Sequence, residues 1–376
     1  MHRVVIAGAG FGGLATAAAL RRAAAPSELE IVLVDRRVDF VMGLRKTWAA
    51  LGMASLAAGL RPLRRVRDVD FVEGGIERVD PAGRSLTVDG RAIDGDALVL
   101  ALGASQDMQA VPGLAEHGLN IWDREQSEPA RLAIDQVVGG RRLLIGIFGM
   151  PYSCPPGPFE FALLAHDRLG PEVQVSVSSP APIALPVVGP IESAKVERML
   201  SDRGIRFLAK RQPVAVHAGS VEFADGSSEE FDLLLAVPVQ SVPDLLVAAG
   251  LAEAGGWVMP DSRTLETSHR DVYAIGDCTV VPLANGLALP KAGIFAELQG
   301  EVVAARIIAR TLGREPGAEF GGEGMCYVEA GGGRAVKVNG AFLADPVAVS
   351  ISEPTSANLA DKVEFERSRL AAWFAG

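Results

Sequence analysis

Val4-Val-Ile-Ala-Gly8-Ala-Gly10-Phe-Gly-Gly13 is the stretch that decides the fold. The apolar run over residues 3–7 reads as a buried parallel strand. Leu14–Ala25, rich in alanine, reads as the helix that follows it, ended by Pro26. Glu30–Val34 is then a second strand, and Asp35 stands at its end. A Gly-x-Gly-x-x-Gly between strand and helix, with an acid about 20 residues on, is the context of a dinucleotide-binding turn. Gly8 permits the tight turn, Gly10 lets a pyrophosphate approach the backbone, and Gly13 lets helix and strand pack closely. Unpaired N–H groups at the helix start face the phosphates, and Asp35 can accept from a ribose.

Outward from this turn, the chain predicts an α/β protein: two Rossmann-like doubly wound units in series, plus a small C-terminal α+β segment. Short strands over 70–103, with turns at Pro81-Ala-Gly83 and Asp89-Gly90, close on the strand 96–104 and its candidate cofactor residue Gly103. A second unit opens with strand 142–147, a turn rich in glycine and proline, helix 158–168 and strand 173–178. It ends at 232–238, which echoes 96–104. Asp271-Val-Tyr-Ala-Ile-Gly276-Asp277-Cys278 precedes a helix over 292–311. The expected division is 1–105 and 241–312 for the first unit, 106–240 for the second and 313–376 for the C-terminal segment. Gly313–Gly324 reads as a linker and Gly331-Gly-Gly333 as a turn. The last helix puts Leu359, Val363, Leu370, Trp373 and Phe374 on one face, for core packing or for a membrane surface.

At 376 residues and 49% hydrophobic, the chain can bury large cores and is too apolar for disorder. A net charge of −10 argues against nucleic acid as partner. Three cysteines, Cys154, Cys278 and Cys326, are too few for a secreted disulfide framework, and their spacing gives no metal-site pattern. The uncharged run Val4–Leu20 is read as strand and helix rather than an export signal. The expected location is cytoplasmic, peripheral at the membrane if the last helix lies on it.

The second turn, Gly146-Ile-Phe-Gly-Met-Pro-Tyr-Ser-Cys154-Pro-Pro-Gly-Pro-Phe-Glu160, is unlike the first. Pro151, Pro155, Pro156 and Pro158 lack the N–H groups a phosphate cradle uses, and the next strand ends in Ser178-Ser179 rather than an acid. An ordinary NADH site is not expected there.

With the Gly276-Asp277 motif, residues 1–310 resemble the two-nucleotide-domain flavoprotein disulfide reductases. The resemblance implies FAD, with Asp277 on its ribityl chain. The stretch around Cys154, Met325-Cys326-Tyr-Val-Glu-Ala-Gly-Gly-Gly333 and Leu289-Pro-Lys291-Ala-Gly-Ile-Phe-Ala-Glu297 together resemble flavocytochrome c sulfide dehydrogenases and sulfide:quinone oxidoreductases. That resemblance implies a Cys154–Cys326 disulfide at the flavin, attacked by sulfide, and a quinone as acceptor. It places Lys291 beside the flavin, where a cation would stabilise reduced flavin, and leaves Glu160 as a base or proton relay, Glu297 more weakly so.

Departures accompany it. Residues 39–45 contain no cysteine, so FAD is expected to be non-covalent; no haem-binding Cys-x-x-Cys-His is present. Two alternatives stand beside the sulfide reading: a type II NADH:quinone dehydrogenase-like enzyme that binds nicotinamide in a non-standard way, and a non-catalytic flavin-binding or sensor protein. Association into a homo-oligomer is left open. Cys278 is read as packing.

Overall fold

The computed structural model describes residues 1–313 and 318–374. Its two main sheets are each five-stranded and wholly parallel. In the first, His2–Ala7 lies between Leu29–Asp35 and Ala97–Leu100, with Asp70–Glu73 and Val272–Ala274 at the two edges. In the second, Arg142–Ile147 lies between Leu233–Val237 and Gln174–Ser178, with Gly118–Asn120 and Arg206–Leu208 outermost. Val4, Ile6, Leu33 and Val99 in the first sheet are fully buried, as are Leu143, Ile145 and Leu235 in the second. Both central strands read as uninterrupted apolar runs because both faces of each sheet are covered, one by helices and the other by antiparallel strands, Ile76–Asp80 and Ser85–Val88 on the first sheet and Pro213–His217 and Ser220–Phe223 on the second. The first sheet draws its edge strand from beyond residue 270, so the second unit is inserted between two parts of the first.

The expected elements are present with ends shifted by a few residues. Helices occupy Phe11–Ala23, Gly157–Leu169 and Gly293–Leu312. The two helices of the first unit cross closely: a Cβ on Gly300 would stand 2.7 Å from the Gly12 carbonyl oxygen. Ser105–Asp107 and Val239–Ser241 pair antiparallel where the chain passes between the units.

Beyond them stands a three-stranded antiparallel sheet, Glu323–Gly331, Arg334–Ala341 and Ala348–Ile351, and the helix Ser356–Trp373. Of the expected linker, residues 314–317 lie outside the described residues. Phe320 beyond them is buried, and its N–H donates to Arg263 O at 2.8 Å. Among the described residues no helix is long and apolar enough to cross a membrane.

The last helix departs from its expected face. Val363 is 49% exposed, whereas Lys362, Glu366, Leu370 and Trp373, spaced to share one stripe, are buried. Trp373 packs edge-on against Phe11 and Phe40, and Phe374 stacks on Phe40. The helix therefore packs on the core, partly through charges. Glu366 takes Arg45 in a bidentate pair at 2.6 and 2.8 Å. Lys362 donates to Glu160 Oε1 at 2.6 Å and Glu329 Oε1 at 2.9 Å, Trp48 Nε1 donates to Glu329, and Glu329 N–H donates to Glu160 Oε2. A hydropathy pattern cannot anticipate this, because it scores a buried lysine as solvent-facing.

Burial disfavours the Lys362 ammonium, yet the two carboxylates outweigh it and hold it above the ordinary lysine value. Desolvation pushes Glu160 up, opposed chiefly by Lys362. Removing the cation leaves two desolvated carboxylates facing each other. Lys362→Met should therefore lose about 3–5 kcal/mol in urea denaturation. The loss should shrink as pH falls, since protonating a carboxyl removes the unpaired charge. A loss no larger than that of Arg367→Met on the exposed face, at pH 8, would contradict this account.

Candidate cofactor and redox site

The first turn is built as a cradle. Gly8 has φ +99°, and a Cβ there would stand 2.4 Å from Ala101 O. A Cβ on Gly13 would stand 1.9 Å from Gly8 O. A Cβ on Gly10 would meet nothing within 4 Å. The first and third glycines thus serve the protein's own packing, and the second faces open space. The helix from Phe11 has no side-chain cap and no acid in its first turn, so its N–H groups remain available to an anion. Asp35 accepts from Ala9 N at 2.7 Å and Arg37 N at 2.9 Å, which fixes the turn beside the strand end. Gly103, φ +71°, also has open space at its Cβ position.

Asp277 lies in a short 3₁₀ turn after the strand Val272–Ala274, and Gly276 N–H donates to Gln299 Oε1 at 2.8 Å. Opposite it is the turn at Ser153 and Cys154. Ser153 Oγ hydrogen bonds Asp277 and stands 2.9 Å from Gln240 Oε1, which also accepts the Ser153 N–H. Trp122 Nε1 donates to Ser153 O at 2.8 Å, and Cys154 N donates to Lys291 O at 2.6 Å. Desolvation raises Asp277 above the usual carboxyl range, against the Ser153 bond and the cations Lys291 and Lys46.

Lys291 is buried with its Nζ on Asp277 O at 2.7 Å and Thr279 O at 2.8 Å, over the Trp257 ring at 3.3 Å. Burial lowers it to about 8. Its ammonium holds the 277–279 turn and its carbonyl holds Cys154; it also lines a small cavity with Asp277, Ala292 and Phe295. Lys46, which the sequence did not single out, lies on the helix Leu44–Ala50 and donates to Trp122 O at 2.6 Å. Desolvation lowers it to about 8 as well, against Cys154 and Asp277. Ser153, Gln240, Trp122 and Lys362 were missed too. Ser153 sits within the second turn and Trp122 outside any motif, and only their partners, distant in sequence, reveal their roles.

The expected disulfide is not there. Cys154 and Cys326 are both free thiols. Cys154 lies near enough to raise the Cys326 thiol, and both feel Glu160 and Lys362. Cys154, in the left-handed region at φ +54°, is exposed yet crowded by protein. Desolvation and then Glu160 push its thiol up to about 11. Cys326, in the strand Glu323–Gly331 and packed against the core of the second unit, is pushed to about 12 by burial and then by Cys154. Thiols held protonated are poor nucleophiles at neutral pH. Glu160 is buried and bonded to Lys362 and Glu329 N, and Glu297 pairs with Arg369 at 3.0 Å. Cys278 is fully buried, with Sγ against the carbonyls of Leu100 and Ile275.

The model of the pyridine nucleotide-disulphide oxidoreductase family matches residues 2–295. The chain belongs to this family. Among curated relatives, a type II NADH:quinone oxidoreductase of Staphylococcus aureus is 25% identical over 348 residues, covering 85% of this chain and 84% of its own length. Its counterpart from Staphylococcus epidermidis is 24% identical with the same coverage. Among solved structures, the sulfide:quinone oxidoreductase of Aquifex aeolicus superposes with a TM-score of 0.86 at 21% identity, over 98% of this chain and 90% of that one. The NDH2 of Plasmodium falciparum, solved with NADH, gives 0.73 at 11% identity, over 98% and 95%. The structural likenesses establish the fold. The sequence relatives side with the nicotinamide alternative, and the free thiols remove the disulfide on which the sulfide reading stood.

Two tests follow from the geometry. Alkylation of Cys154 by iodoacetamide, followed by mass spectrometry, should still accelerate between pH 8 and pH 10, because a thiol near 11 gains thiolate throughout that interval. A plateau near pH 7 would contradict the crowded, desolvated setting. Gly10→Ala should keep the fold, judged by thermal melting of the cofactor-stripped protein, while weakening cofactor binding at least tenfold. Gly13→Ala should lower the melting temperature itself. Equal behaviour of the two variants would mean that Gly10 does not face the ligand.

Proposed function

We propose that the chain is an FAD-dependent oxidoreductase of the type II NADH:quinone oxidoreductase kind, with NADH as donor and a quinone-type acceptor. The observation that carries this reading is the pair of unbonded, protonated thiols, Cys154 and Cys326, which leaves the site without the disulfide that sulfide would attack. The similarity to type II enzymes over 85% of this chain and 84% of theirs supports the donor and acceptor.

FAD would be held non-covalently, its phosphates at Gly8, Gly10 and Gly13, its ribose at Asp35, and its ribityl chain at Asp277, with Gly103 and Gly276 close to it. The open space at Gly10 and Gly103 and the uncapped helix start suit such a ligand. When bound, FAD supplies hydride acceptance from the donor and electron delivery to the acceptor. Lys46, with Nζ on Trp122 O and its charge felt at Asp277 and Cys154, is the cation we assign to the ring side of the site. Lys291 holds the Asp277 turn rather than reaching the ring. Glu160, its carboxyl pushed up by burial and held against Lys362, is the candidate proton relay. The division into 1–105 with 241–312, 106–240 and 313–376 accompanies this assignment.

The second turn bears on how NADH would bind. Pro155, Pro156 and Pro158 offer no N–H, and Gly157 N–H is bonded to Cys154 O at 2.8 Å. The nicotinamide cofactor would therefore be held by contacts other than a glycine-rich phosphate cradle, and its affinity should be modest.

Anaerobic stopped-flow mixing decides the reading. NADH should bleach the flavin rapidly, sulfide slowly, and Cys154→Ser should leave the NADH rate within about twofold of wild type, because a free protonated thiol carries no electrons in this scheme. Failure of NADH to reduce the flavin would overturn the donor assignment; a flavin reduced by neither donor would point to a non-catalytic flavin-binding protein.

A further inference from the structure

Three oxygen atoms meet beside Asp277 with a single hydroxyl hydrogen to serve two contacts. Ser153 Oγ stands 2.9 Å from Gln240 Oε1 and within hydrogen-bond reach of Asp277 Oδ2. Gln240 Oε1 also accepts the Ser153 N–H at 2.9 Å. That bond fixes which end of the amide faces Ser153, because the turned amide would set its NH2 against the N–H. Gln240 Oε1 is therefore an acceptor, and Ser153 has one hydrogen to give. If Asp277 is ionised, that hydrogen goes to the carboxylate, and Ser153 Oγ faces Gln240 Oε1 with no hydrogen between them. If Asp277 is neutral, its O–H donates to Ser153 Oγ and the serine O–H donates to Gln240, so both contacts are bonded.

The surroundings favour the neutral form. Among the described residues Asp277 has no ion pair, and Ser153 is the only group hydrogen-bonded to its carboxyl. Lys291 gives its Nζ to the main-chain oxygens of Asp277 and Thr279, and Lys46, from the helix Leu44–Ala50, gives its own to Trp122 O. Cys154 across the site and Cys278 in the same turn also feel Asp277, and both are thiols held protonated. Desolvation outweighs the two cations and raises the carboxyl.

We propose that Gln240, acting through Ser153, keeps a proton on Asp277, and that Asp277 gives this proton to solvent when the flavin's ribityl chain binds there. The proposal rests on the assignment of Asp277 to that chain. A hydroxyl that donates to a carboxylate favours the charged form, so each ribityl hydroxyl accepted by Asp277 weakens its hold on the proton. The balance is one for one: neutral Asp277 becomes ionised, and one proton passes to the buffer. Gln240 is a positioning residue, which acts by claiming the serine hydrogen that would otherwise stabilise the carboxylate.

Flavin affinity should accordingly be full above the raised Asp277 value and fall as pH drops through it. The cations carry the opposite sign. Lys46 and Lys291, both held at about 8, gain charge on acidification, which would tighten a ligand that bears phosphates.

Calorimetric titration of FAD into the flavin-stripped full-length chain tests this, in pairs of buffers that differ in ionisation enthalpy. At pH 6 wild type should release up to one proton per FAD bound, and its affinity should fall at least tenfold from pH 8 to pH 5. Asp277→Asn, similar in shape but unable to titrate, should bind FAD more weakly than wild type at pH 8, release no proton and lose the tenfold fall. Gln240→Leu should release less proton and hold its affinity to lower pH. Gln240→Glu, which keeps an acceptor oxygen beside Ser153, should lose affinity in acid at least as strongly as wild type. A variant that merely loosened the fold would bind more weakly at every pH. An affinity independent of pH, no proton release by wild type, release persisting in Asp277→Asn, or a wild-type profile in Gln240→Leu would overturn the proposal. An FAD affinity unchanged by Asp277→Asn at pH 8 would instead overturn the assignment of Asp277 to the flavin.

Discussion

The short turn at Ser153 and Cys154 holds the site together. It belongs to the second unit, yet Ser153 bonds Asp277 and Cys154 N bonds the Lys291 carbonyl, both on the returning part of the first unit. Gln240 and Trp122 fasten the same turn from its own side. Two parallel sheets that share no strand are thereby registered at the point where a cofactor held by the first unit would face the second. The left-handed conformation of Cys154, which ordinarily disfavours a non-glycine residue, is retained because bonds on both flanks over-determine it.

The same turn explains why an expectation drawn from likeness failed, whereas the strand–turn–helix read from the glycines is present in the fold. The first turn could be read because each glycine has a mechanical consequence: Gly8 and Gly13 approach main-chain atoms that no side chain could accommodate. The strands over 142–147 and 174–178 were legible for a similar reason, being apolar runs of strand length bounded by turn residues. The thiol pair was different. Its assignment came from the surroundings of two cysteines, and those surroundings are compatible with two thiols that never bond. What decides between the states is desolvation and the sign of nearby charge, and Glu160, Lys362 and Lys46 arrive from three other elements.

Buried charge also explains the misread closing helix. A face that contains Lys362 and Glu366 looks polar in sequence, so the expected stripe shifted to Leu359 and Val363. In the fold those charges are neutralised by Glu160, Glu329 and Arg45, on a helix of the second unit, a strand of the C-terminal sheet and a helix of the first. Such pairs add little net stability over apolar packing but make any other docking of the helix expensive, because it would strand a charge. The helix is held in register by electrostatic specificity at one end and by the Phe11, Phe40 and Trp373 rings at the other.

Phe11 links these features to the cofactor turn. It is the variable residue after Gly10, and its ring lies under Gly293, where a Cβ would stand 2.9 Å away, while its edge meets Trp373. The start of the helix Phe11–Ala23, the start of the long helix Gly293–Leu312 and the end of the closing helix therefore converge on one side chain. A shift of the closing helix would press on the helix start beside the glycine turn, and the Lys362 cluster opposes that shift from about three turns away. The C-terminal segment thus does more than cover the sheets: it fixes the position of the cradle, through contacts that a reading of the dinucleotide motif alone would assign to the first 35 residues.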